Sequence, residues 1–241
     1  MVEGTSASLI LPSVTLLNLF LNRYSGLTTS GNCSIHGTLN LISGDFNIGT
    51  GKTLYLLGQP VSGLTQNLKG GMSSGLFIGG TAEGFQVPPG LTVLGTLTIE
   101  NPQGAELTSG ILIQSQLQVS GKFIMGTFSV SGNGNYTISQ NSRLVVGHPD
   151  GVAGNIQLVP SGFIDGEVDY EFNGECDQMT GFLPTSPPGQ LRSLTYASAA
   201  GFTLSIPGPV NITGNLEITG GGTLIIDPDI TVTVDNSVVI H

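Results

Sequence analysis

Tryptophan is absent from this chain, cations are scarce and helical patterns are missing. Charged residues make up 9% of the 241 positions, with 6 Lys and Arg against 16 Asp and Glu, for a formal net charge of −10. A surface of that sign repels phosphate backbones, so nucleic acid is not an expected partner. No window of helical length sustains apolar residues at i, i+3, i+4 and i+7 without a glycine or proline. The apolar opening MVEGTSASLILPSVTLLNLFLN has no basic stretch ahead of it and is interrupted by Asn18, Asn22 and Arg23. It reads as neither a signal peptide nor a membrane span. Two cysteines, Cys33 and Cys176, are too few to define a redox compartment, and they read as small apolar side chains.

Reactive constellations are missing too. The histidines are His36, His148 and His241, and no GxSxG elbow, HExxH pair or Walker loop occurs. His36 adjoins an alternating run and His148 lies in the turn-like GHPDG, positions that suit a surface better than catalysis. Glycine strings such as GNG at 132–134 lack the strand-to-helix context of a phosphate loop and read as corners.

What the chain does contain is alternation, repeated. Leu16, Leu19, Leu21 and Gly26 share the spacing L-x2-L-x-[L/I/Y]-x4-G with Leu94, Leu97, Ile99 and Gly104, and again with Leu191, Leu194, Tyr196 and Gly201. A second half follows each copy: Ile35, Gly37, Leu39, Leu41; then Ile113, Ser115, Leu117, Val119; then Ile212, Gly214, Leu216, Ile218. The third copy carries a short insertion at Pro207, Gly208 and Pro209, a turn where a gap leaves the alternation intact. Period-two runs place Leu39 and Leu41 on one face and Asn40 on the other, which specifies strands.

Aromatics are only 6%, too few for a sandwich or propeller core, and turn signals (SG, GNG, PPG, HPDG, TGGG) punctuate the runs. The expected fold is all-β: a single-stranded parallel β-helix, or β-solenoid, with irregular loops. It should form one domain over 1–241, with rungs of roughly 20 to 30 residues and on the order of ten of them. The Pro-rich stretch TGFLPTSPPGQ at 180–190 is the expected protruding loop. With no amphipathic capping helix at either end, the chain is expected to be a segment of a longer exported chain or a stacking subunit.

The segment VDYEFNGECDQMTGFLPTSPPGQLRSLTYASAAGFTLSIPGPVNITGNLEITGGGTLII resembles β-solenoid repeat modules of large secreted, adhesin-like surface proteins of type IX-secreting bacteria. The positions that carry the likeness are Phe172, Asn173, Gly174, Gln178, Gly181, Leu194, Gly201, Leu204, Val210, Gly214, Leu216, Ile218 and Leu224. IHGTLNLISGDFNIGTGKTLYLLG at 35–58 is similar in style. The resemblance implies a passive structural or adhesive module at the cell surface or outside the cell, with no catalytic residues and no resident cofactor. Its partners would be a glycan or other surface ligand, or neighbouring copies of itself, with no membrane span.

One polar feature offers an alternative. Asp165, Glu167, Asp169 and Glu171 alternate in IDGEVDYEF, which predicts a row of carboxylates on one face of one strand. Such a row suits calcium, which takes several carboxylate oxygens, or the acid and base of a polysaccharide-cleaving β-helix enzyme. The preferred reading is a solvated edge strand, since charge runs usually mark solvated faces. Asp227, Asp229 and Asp235 form a weaker second group, and the T-x-T pairs Thr96/Thr98 and Thr231/Thr233 are too isolated for an ice-binding array.

Overall fold

A computed structural model describes residues 2–3, 9–158, 162–182, 190–199 and 201–241. The chain winds as a β-solenoid of about 11 turns in which the named strands pair in parallel, with 4% helix. Leu9 pairs with Leu27 and Leu144 with Tyr170, so one coil takes from 18 to 26 residues along these ladders. The expected rung number is met, and the shortest coils fall just under the expected rung length.

Two long sheets run along the coil stack and overlap in its middle. One has ten strands and starts at Val14–Leu16; the other has eight and ends at Ser237–Ile240. Shorter sheets complete the coils toward each end. In mid-stack, the strand Ile111–Val119 pairs with two successive strands of the next coil, Val130–Gly132 and Asn135–Ile138. A strand serving two sides must bend, and the exposed Ser115 marks the place.

The interior follows directly from the alternation. Ile35, Leu56, Ile78, Ile99, Val119, Ile138 and Ile164 stand in register on seven successive coils, each at most 1% exposed. Parallel strands lie about 4.8 Å apart, so each methyl group packs on the one above. Burying such a side chain contributes about 1.5–3 kcal/mol, and each coil draws that stabilisation from its immediate neighbours. A column of this kind tolerates loops of any length at the corners.

The sequence repeat is a different object from the coil. Leu19 and Leu21 lie in a short four-stranded sheet, Leu97 and Ile99 in the ten-stranded sheet, and Leu194 and Tyr196 in the eight-stranded sheet. The three copies therefore fall in three different sheets. What they share is a local device: an inward strand followed by a left-handed corner. Gly26, Gly104 and Gly201 have φ of 71°, 114° and 98°, a region that favours glycine.

The resembling segment contains a corner built around one amide. Gln178, 2% exposed, accepts from the Gly174 N–H (2.8 Å) and donates to the carbonyls of Val146 (3.2 Å) and His148 (3.1 Å). Ser198 Oγ, also buried, donates to the Gly174 carbonyl at 2.7 Å. Backbone groups turned inward at a corner must be satisfied, and these side chains satisfy them. Residues 183–189 of the Pro-rich stretch lie outside the described residues.

In the final coil the inward positions face outward along the axis. Val238 is 56% and Ile240 72% exposed, whereas Leu216, the coil-neighbour of Val238, is 5% exposed. Cys33 is buried in the column and Cys176 is half-buried; both are free thiols. Burial pushes the Cys33 thiol up to about 11.

Candidate functional site

With the interior fixed, chemistry can reside only on the outward-pointing alternate positions. Two outer faces concentrate it. On the ten-stranded sheet, Tyr55, Phe77, Thr98, Gln118 and Thr137 stand in one column across five coils. The Tyr55 and Phe77 rings are 5.3 Å apart at 40°. Beyond them Thr98 Oγ1 donates to Gln118 Oε1 at 3.3 Å, and the adjacent column brings Gln116 Nε2 to Thr137 Oγ1 at 3.5 Å. A shallow groove of about 300 Å³ runs past Thr98, Gln118, Thr137 and Ser139, with Glu100 at its edge. This face offers aromatic surface, hydroxyls and amides, the groups that meet a sugar ring's apolar side and its hydroxyls.

The second face belongs to the eight-stranded sheet and is ionic. Here the predicted row of carboxylates needs correction. Only Asp169 and Glu171 share a strand, Asp169–Phe172; Asp165 and Glu167 lie outside it, Glu167 in the turn that follows Phe163–Ile164. The chain turns at Gly166 and Glu167, and the Asp165 carboxylate locks the turn by accepting the Glu167 N–H at 2.9 Å. Alternation in the sequence is here interrupted by a corner.

The two strand acids are engaged by cations from neighbouring coils. Arg192 grips Asp169 bidentately, Nε to Oδ1 at 2.8 Å and Nη2 to Oδ2 at 2.5 Å, and its Nη1 donates to Asn141 Oδ1. The hydrogen bonds it donates to Asp169 raise the Arg192 guanidinium above its ordinary value. Arg143 Nη2 meets Glu171 Oε2 at 2.5 Å. Both Asp169 oxygens thus accept a hydrogen bond from Arg192. No group of three or more His, Cys, Asp or Glu is placed to hold a metal ion among the described residues. The predicted row is split between a turn, which holds Glu167, and a strand, which holds Asp169 and Glu171.

A groove of about 200 Å³ crosses this face between Arg143, Asp169, Ser193, Thr195, Asn215 and Glu217. His241 approaches Glu217 at 3.3 Å. Asp227 accepts from Ser205 Oγ at 3.0 Å and Asp229 has φ of 66°, so this weaker acidic group is occupied with a turn. His148 Nδ1 accepts the Asp150 N–H at 3.1 Å, a corner role, and His36 is exposed. The register pair Lys122 and Arg143 and the Arg192–Asp169 contact leave no mark in the sequence, because the partners are far apart along the chain. Compared with protein-family models, curated proteins and solved structures, the chain matches none.

Proposed function

We propose that this chain is a structural and adhesive module of an extracellular surface protein or filament, acting by presentation of its outer faces to a glycan. The observation that carries the reading is the column Tyr55, Phe77, Thr98, Gln118 and Thr137, aromatic at one end and hydroxyl and amide at the other. A ligand lying along it would meet one group per coil, at a spacing fixed by the backbone rather than by mobile side chains. That rigidity reduces the ordering cost of binding.

Two further features support the reading. The likeness of 168–226 to modules of secreted adhesin-like proteins points to export by a type IX-like route and to the cell surface. The arginine grip on Asp169 and Glu171 favours a passive module over a polysaccharide-cleaving enzyme. The test is retention on immobilised neutral polysaccharides, comparing the chain with a Phe77→Ala/Gln118→Ala variant, both assayed well below their melting temperatures. Retention by the parent and its loss in the variant is expected. Release of reducing sugar that disappears in Asp169→Asn would replace this proposal with the enzymatic one.

A further inference from the structure

The six Lys and Arg of this chain are outnumbered by 16 acids, yet two of them stand side by side. Lys122 and Arg143 are register partners on adjacent coils of the eight-stranded sheet, both pointing outward. Like charges directly opposite one another destabilise a sheet. In an acidic molecule with ample carboxylates for neutralisation, such a pairing calls for a reason.

The surroundings supply one. A pocket of about 260 Å³ opens between the two cations, lined also by Gln103, Ser120 and Asn141, and no carboxylate is among its lining residues. Lys122 forms no ion pair among the described residues. Its stem lies across Gly104, where a Cβ would sit 3.3 Å from Lys122 Cδ, so the glycine lets the ammonium chain lie flat beside the pocket. Arg143 spends Nη2 on Glu171, and its Nε is buried without a hydrogen-bond partner. Leaving such a donor unpaired is unfavourable.

We propose that Lys122 and Arg143 form a binding site for an oxyanion, a carboxylate or sulfate carried by a sugar-sized ligand. The anion would relieve the repulsion between the two cations and take charge-assisted hydrogen bonds from both, with the Gln103 and Asn141 amides and the Ser120 hydroxyl as neutral donors. A long polyanion would be opposed by the net charge of −10, so a short anionic sugar fits better than a polymer. This site stands apart from the aromatic and amide column and holds whether or not that column binds a glycan.

Backbone amide NMR of the full chain tests it, titrating separately with sodium sulfate, sodium galacturonate and uncharged galactose. The expected result is a saturating shift at 103, 120–122 and 141–143 with either anion, at a dissociation constant of about 1 mM or tighter, and none with galactose. Binding by one anion alone supports the site and assigns its source, sulfate ester or uronate. Lys122→Gln breaks no ion pair, and with an unchanged melting temperature it should weaken binding about ten-fold. Non-saturating shifts, equal shifts with galactose, or undiminished affinity in Lys122→Gln would overturn the proposal.

Discussion

The outer faces of the two long sheets differ in everything except what holds them up. One column reads Tyr55, Phe77, Thr98, Gln118, Thr137, without a charge; the other face carries Lys122, Arg143, Asp169, Glu171, Arg192 and Glu217. Behind the first stand Leu54, Leu76 and Leu97, and behind the second Phe123, Leu144 and Leu194, all at most 1% exposed. The lesson is a separation of tasks by parity. Inward positions fix the coil, and outward positions are free to differ from side to side.

The largest effect should come from breaking what the two faces share. Ile99→Ala removes one step of the seven-coil column and should cost about 2–5 kcal/mol, read by denaturant unfolding. Both faces should then lose binding together. Next in size is Asp169→Asn, which strips the Arg192 guanidinium of its carboxylate. Because these side chains are 23% and 32% exposed, solvent screening holds the cost to about 1 kcal/mol. That penalty should shrink in 1 M salt, where the Debye length is about 3 Å, whereas the cost of Phe77→Ala should not. A salt-independent Asp169→Asn penalty would erase the distinction between the faces.

Of similar size is the loss of the ring contact on the aromatic face. Tyr55→Ala should cost about 0.5–1.5 kcal/mol in stability and act mainly on glycan retention. The thiols give a final, subtler contrast between interior and exterior. A maleimide reagent should label Cys176 in the folded protein while Cys33 resists until unfolding, its thiol raised by burial to about 11. Since the folded value lies above the unfolded one, Cys33 contributes stability below pH about 9 that is lost as pH rises toward 11. Cys33→Ala should flatten that part of the pH profile.

How much of this is legible in the sequence depends on the range of the interaction. Leu97 and Ile99 announce a strand because their neighbours alternate, and Gly104 announces a corner because it follows at a repeated distance. Both signals are local, and the coil architecture follows from them. The assignment of copies to sheets is not legible, since the number of residues between corners varies and only pairing across coils decides which sheet a strand joins. The acidic row misleads for a related reason: Asp165 and Glu167 keep the period of two, but the chain turns at Gly166 and Glu167 before Asp169 begins its strand. The Lys122–Arg143 neighbourhood is visible only once coils are stacked, because register brings the residues together and no motif records it.

The claim on which both faces depend is the parallel register of the interior column. Methyl-to-methyl NOEs in a sample labelled at Ile, Leu and Val methyl groups test it most directly. The predicted pattern is a chain of cross-peaks from Ile35 to Leu56, Ile78, Ile99, Val119, Ile138 and Ile164, each linking one coil to the next. Cross-peaks joining neighbouring strands in antiparallel hairpin order, with the Ile78–Ile99–Val119 sequence missing, would contradict it.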